Sequence, residues 1–250
     1  MPGEKYVIAD MAVLSPNLLL VSNSTKKCVL LLDCLKSKVV SKVQVQGVTY
    51  IMCLIDRKIA AVNVGGGKIQ MIKVKYNTLT KDRELIESDS IAGLTFSGHS
   101  LVVAYFCPPW LEVISMDGKV LHQFEELGTS QHFKAPSFMC TTPVGSVFIS
   151  DWGTNTITKV DAQLNILQTF TSPMLQEPRG LTAVTEDQIL VCSSKNHSIV
   201  LLQPSTNTMS TLLGKDDGIE ESYYLTYCPD QKKVYVASAG WIDTIKVYQM

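Results

Sequence analysis

The sequence predicts an all-β fold, a six-bladed β-propeller, and three observations carry that prediction. Apolar, β-branched and aromatic residues come in short runs, each bounded by Gly, Pro, Asn, Asp or Ser clusters. The runs recur in groups of four with one order of strands and turns. The groups repeat at a spacing of about 40–50 residues, the period of a propeller blade.

The clearest unit runs from Pro136 to Phe170. A first strand and a Pro/Gly turn lead to GSVFIS, a polar turn DWGTN, a strand TITKV, a turn DAQLN and a fourth strand ILQTF. The next unit repeats the plan as RGLTAV, ILVCS, SIVLL and TMSTLL, and YYLTYC, KKVYVAS and TIKVYQ follow. Upstream lie IAGLTF, SLVVAY, LEVISM and KVLHQF, preceded by VTYIMCLI, KIAAVN and KIQMIKV. The first unit is IADMAVL, LLLVSN, CVLLL and KVVSKV. Ser22, Asn63, Tyr105, Asp151, Ser194 and Ala239 mark the ends of the second strands, at intervals of 41 to 46 residues. One domain of 250 residues follows, with blades near 5–45, 46–88, 89–133, 134–175, 176–220 and 221–250. A β-sandwich also has short, evenly spaced strands, but it does not repeat one four-strand order six times.

The physical logic is one of faces and edges. A four-stranded meander has two apolar faces that it cannot cover alone, and stacking blades about an axis covers both. Composition agrees: 46% of residues are hydrophobic and 18% charged, which is ample material for a continuous core. The balance of 22 basic and 23 acidic residues argues against a dedicated DNA or anionic-membrane binder. No apolar run approaches the ~18–20 residues of a membrane span. The N-terminus, MPGEKYVIADMAVL, lacks the pattern of a signal peptide. Seven cysteines include no C-x-x-C pair, and Cys53, Cys140, Cys192 and Cys228 sit in strand-like runs. Buried, reduced thiols and a cytoplasmic location are expected.

The fourth unit carries a family resemblance. Pro136, Val147-Phe148-Ile149-Ser150-Asp151, Asn155 and Ile157 follow the order of an NHL repeat, and Pro178-Arg179-Gly180-Leu181, Val191 and Asn196 follow it again. The chain thus resembles the NHL propellers at the C-terminal end of tripartite-motif proteins, in a degenerate, invertebrate-like form. Asn63, Tyr105 and Ala239 replace the motif aspartate in three units. The resemblance implies a substrate-recognition role in a ubiquitin ligase whose RING, B-box and coiled coil would lie outside this chain. It also implies that Asp151, Asn155 and Asn196 hold turns by side-chain-to-backbone hydrogen bonds. The sixth unit ends on its third strand, DTIKVYQM, and only Met1 to Tyr6 precede the first. A three-stranded last blade, in a fragment of a longer protein, is therefore expected.

Two classes of function compete. A propeller enzyme would need metal ligands on the first strands, which supply Asp10 and little else that ionises. His99, His122, His132 and His197 fall in turns or outer strands, so neither a metal site nor a cofactor is expected. Gly65-Gly66-Gly67 reads as a permissive turn rather than a phosphate loop. No catalytic residue is assigned. A binding module has more to rest on. Trp110, Trp152 and Trp241 all fall in turns between second and third strands, on one predicted face with Lys195 and Arg179. Tryptophan there is either an interface anchor or a lid on its own blade. Acidic side chains such as Asp82, Glu84, Glu177 and Glu220 outnumber the bases on that face. This favours a protein partner over single-stranded RNA, which prefers a basic groove. The expected module is monomeric and non-catalytic, with an RNA-binding propeller and a channel-sited metal-dependent hydrolase or lyase as the alternatives.

Overall fold

Strands form at the short apolar and β-branched runs between turn residues, and they pair in chain order. The computed structural model describes residues 7–86, 90–124, 132–238 and 244–250. The first sheet is β1 (Ile8–Ser15), β2 (Leu18–Asn23), β3 (Cys28–Asp33) and β4 (Lys38–Gln44). The second is β5 (Met52–Asp56), β6 (Ile59–Asn63), β7 (Lys68–Lys75) and β8 (Thr78–Ile86). The third is β9 (Ile91–Ser97), β10 (Ser100–Phe106), β11 (Pro109–Ile114) and β12 (Val120–Gln123). The fourth is β13 (Pro136–Thr141), β14 (Val147–Asp151), β15 (Thr156–Val160) and β16 (Ile166–Thr171). The fifth is β17 (Pro178–Thr185), β18 (Gln188–Ser193), β19 (Ser198–Gln203) and β20 (Thr208–Leu213). The sixth has three strands among the described residues: β21 (Ser222–Cys228), β22 (Lys233–Ser238) and β23 (Ile245–Gln249).

Two compact units contain these sheets. One comprises Met1–Asp89 with Tyr224–Met250, the other Ser90–Tyr223. In the first unit the period of two sends successive residues of one strand to opposite seams. Leu20, Val29 and Leu31 pack with Met52, Val62 and Ile72 of the second sheet. Their chain neighbours Leu19, Val21, Cys28 and Leu30 pack with Cys228, Tyr235 and Ala237 of the sixth. That double use explains why β2 and β3 are near-continuous apolar runs rather than alternating ones. In the second unit Val102, Ala104 and Leu111 meet Met139, Ile149 and Val160. Each fully buried side chain of this kind contributes about 1.5–3 kcal/mol.

The first strands approach closely. A Cβ built on Gly93 of β9 would overlap the Ser137 carbonyl of β13, so only glycine fits. The turn register differs by one residue from the sequence-based expectation in two blades. The capping side chain of the first is Asn23, not Ser22: its Oδ1 accepts from the Lys26 N–H at 2.8 Å and the Thr25 hydroxyl at 3.0 Å. In the fifth, β18 ends at Ser193 rather than Ser194. Asn63 keeps its expected place and accepts from the Gly65 N–H at 2.9 Å.

Candidate partner-binding site

The second unit carries a cluster of rings and one guanidinium, contributed by a turn and by strand ends and starts from successive sheets. Trp152 lies in the turn between β14 and β15, at the position where the DWGTN turn was expected. Its ring lies nearly parallel to that of Phe106, at the end of β10, with centroids 6.2 Å apart and 13° between planes. The Arg179 guanidinium, at the start of β17, sits 4.6 Å from the Trp152 ring centroid. Arg179 also lies 4.8 Å from the ring of Tyr223. Tyr223 meets Phe138 of β13 edge-on at 5.7 Å. Each cation–π contact is worth about 0.5–2 kcal/mol, more as water is excluded. Phe106 is 47% exposed, whereas Trp152, Arg179 and Tyr223 are half-buried.

Two hydrogen-bonded frames fix the stack. The buried Asp151 carboxylate accepts four backbone N–H groups. Oδ1 takes Gly153 at 2.9 Å and Thr154 at 3.1 Å, closing the turn that presents Trp152. Oδ1 also takes Ala135 at 3.0 Å, and Oδ2 takes Lys134 at 2.7 Å, tying the turn to the entry of its own blade. Asn155, with φ of 56°, accepts from the Glu177 N–H at 2.8 Å. Asn196 donates to the carbonyls of Pro173 at 3.2 Å and Met174 at 3.0 Å. Asn155 and Asn196 therefore pin the connection between the fourth and fifth sheets, in place of the local turn bonds that the sequence suggested. Asn155 sits in the left-handed region, which asparagine tolerates well.

Charge is paired at this site. Glu177 makes ion pairs with Lys195 at 2.7 Å and Arg179 at 3.6 Å. The hydrogen bond from Lys195 holds its carboxyl below the usual range, and Arg179 reinforces that. Lys195 and Arg179 thus meet through one carboxylate, and only Arg179 belongs to the stack. Trp110 departs from expectation. It lies inside β11, paired with Tyr105, not in the preceding turn. Its ring packs on Tyr105 at 5.0 Å, and its indole N–H is buried with no partner among the described residues. Trp110 covers its own sheet, while Trp152 reaches out to the sheets on both sides of its own. Trp241 lies outside the described residues.

The expected charge of this face also changes. Asp82 and Glu84 belong to β8, paired with Lys73 and Lys68 at 2.8 and 3.2 Å, so they do not lie in a turn of that face. Asp151 is fully buried and adds nothing to a surface. Sequence reading missed Phe106, Tyr223 and Phe138. Phe106 sits one residue before a Cys-Pro-Pro turn, and Tyr223 opens a strand; only the convergence of the sheets brings them together. Tyr105, standing where the fourth sheet carries Asp151, hydrogen-bonds through its hydroxyl to the buried Glu112 at 2.9 Å.

Elsewhere, Asp10 accepts the Met11 N–H through Oδ1 and the Met52 N–H through Oδ2, both at 2.8 Å, clamping the first sheet to the second. Burial nonetheless pushes its carboxyl up to about 7, against those two hydrogen bonds. His132 lies within reach of the Thr158 hydroxyl, and His197 Nδ1 accepts the Glu221 N–H at 3.0 Å. Among the described residues no three His, Cys, Asp or Glu side chains gather as metal ligands.

These sheets define the class of the protein, a six-bladed β-propeller. Comparison with solved structures agrees on the fold. A protein from Bacteroides thetaiotaomicron of unknown function matches with a TM-score of 0.78 and 14% identity, over 100% of this chain and 70% of that one. A streptogramin B lyase matches with a TM-score of 0.72 and 12% identity, over 100% of this chain and 85% of that one. A catalytically inactive virginiamycin B lyase from Staphylococcus aureus, solved with quinupristin, matches at 0.69 and 13% identity, over 100% and 86% of the chains. No family model and no curated protein matches the sequence.

Proposed function

We propose that this propeller is a non-catalytic recognition module that binds a protein partner through the Phe106–Trp152–Arg179–Tyr223 stack. The observation that carries this reading is the stack itself: rings with a polar handle, half-buried, held in place by Asp151 and Asn155, and ending in an exposed Phe106. Such rigid Trp/Tyr/Arg clusters are the residue types that dominate interface hot spots. By its NHL resemblance the module would present substrates to a tripartite-motif-type ubiquitin ligase, the catalytic RING being supplied from outside these 250 residues.

The stack could in principle hold nucleotide bases, but charge argues otherwise. RNA binding of this kind needs cations free to meet phosphates. Here Lys195 and Arg179 both face Glu177. An extract passed over the immobilised propeller, with and without ribonuclease, separates the two readings. The proposal expects partner capture that survives ribonuclease and falls at least about tenfold with Arg179→Ala. Capture that ribonuclease abolishes, with retardation of a random single-stranded RNA pool that weakens steeply with salt, would replace the protein partner by RNA.

A further inference from the structure

Five turns of the first unit are tied together at one end of its sheets. In an antiparallel meander the first-to-second and third-to-fourth turns share an end. The Cys34 N–H, between β3 and β4, donates at 2.8 Å to the carbonyl of Asn17, between β1 and β2. Gln231, between β21 and β22, donates through Nε2 to Asn17 Oδ1 at 3.0 Å. Its neighbour Asp230 pairs at 3.8 Å with Arg57, between β5 and β6. The carbonyl of Lys58, in that same turn, accepts at 2.7 Å from the N–H of Val74, beside the turn between β7 and β8. All five turns therefore lie on one face of the unit.

The face is basic. Its turns and the strand residues that border them hold seven lysines and arginines against three acids. Each acid is engaged locally. Asp33 Oδ1 accepts the Leu35 and Lys36 N–H groups, both at 3.0 Å. Asp56 Oδ1 accepts the Lys58 and Ile59 N–H groups at 2.6 and 2.8 Å, and Asp230 faces Arg57. Among the described residues Lys38, Lys58 and Lys232, all exposed, pair with no acid. The near-equal totals of bases and acids in the whole chain conceal this local surplus. Two apolar tips stand out of the same face. Leu35 is 72% exposed, next to Lys36, and Tyr76 is 90% exposed, with Lys75 Nζ 5.4 Å from its ring centroid. Tyr76 and Asn77 have φ of 50° and 57°, the pair of positive values that a tight hairpin turn requires. Asparagine or glycine meets that requirement at lower cost than tyrosine, and Tyr76 gains no burial in exchange.

We infer that this face of the first unit docks on the surface of an anionic lipid bilayer. The lysines meet the charged headgroups, Leu35 enters the boundary of the acyl chains, and Tyr76 rests at headgroup level. A polyanion such as RNA would engage the lysines and leave Leu35 in water, so apolar tips set among lysines favour a bilayer. This face belongs to the first unit and the aromatic cluster to the second, so either role can fail without the other.

The test is co-sedimentation of the full chain with vesicles of phosphatidylcholine alone, or with about 30% phosphatidylserine. Partition onto the anionic vesicles is expected to be at least about tenfold stronger and to weaken as salt rises. Lys38→Glu combined with Lys58→Glu should lower it at least about tenfold. Leu35→Ser and Tyr76→Asn should each lower it about threefold or more with the melting temperature held, since both side chains are exposed in the free protein. Val144→Ser, at a position 73% exposed in the second unit and flanked by Pro143 and Gly145, should leave it unchanged. Equal partition onto both kinds of vesicle, or unchanged partition by the folded Leu35→Ser and Tyr76→Asn variants, overturns the proposal. So does displacement from the vesicles by single-stranded RNA or by polyglutamate at lower concentration than anionic lipid, since the face would then serve a nucleic acid or an acidic protein.

Discussion

Two buried aspartates show how much a single residue can do in this fold. Asp151 anchors four backbone N–H groups, two in its own turn and two across the blade entry. Its removal leaves several buried donors without acceptors. Asp151→Ala should therefore cost about 3 kcal/mol or more, read as a lowered midpoint in urea unfolding, with Asp151→Asn between the two. The half of this role facing Gly153 and Thr154 was legible from the Asp-Trp-Gly turn. The half facing Lys134 and Ala135 was not, because those partners lie 17 and 16 residues upstream. Asp10 makes a prediction about pH. Its carboxyl ionises near 3.8 when unfolded and near 7 when folded, so between those values the folded protein holds the extra proton. Stability should fall as pH rises from about 4 to 7 and level off above. A series of thermal melts should show that slope, and Asp10→Asn should flatten it. Sequence reading found Asp10 as the lone ionisable group on the first strands, but not its clamp on Met52.

At the scale of the strand, alternation decides which face a residue serves, and the sequence displays this well. The apolar runs and their turns are visible there. Bounds are less so. Trp110 was expected in a turn, but β10 and β11 pair through Tyr105–Trp110 up to Phe106–Pro109, which draws it into a strand. Asp82 and Glu84 read as part of the tryptophan-bearing face, yet they lie in β8, which pairs along β7 as an edge strand. Pairing with a neighbour overrode local composition in both places. Close packing of β9 on β13 sets a further expectation. Gly93→Ala forces the Ser137 carbonyl to move and should lower stability by about 1–3 kcal/mol, measured as a shift in denaturation midpoint without loss of the β-sheet circular dichroism signal. The same substitution at Gly98, where an added Cβ meets nothing, should lack that steric cost and pay only for its positive φ.

For the whole molecule, the sixfold repeat is what the sequence states most plainly, and the sheets follow it in order. Less legible is how residues far apart in the chain come together. Phe106, Trp152, Arg179 and Tyr223 span more than 100 residues, and no local pattern links them. Their meeting is a consequence of a turn and of strand ends and starts from successive sheets converging in one unit. The proposed recognition role rests on that convergence, and Trp110 provides an internal control because it packs on its own sheet. The decisive measurement is quantitative capture of partner protein by wild type, Trp152→Ala and Trp110→Ala, each checked for an intact thermal transition. The account predicts that Trp152→Ala loses most captured partner, while Trp110→Ala loses stability more than capture. Equal capture by a folded Trp152→Ala and the wild type would contradict it.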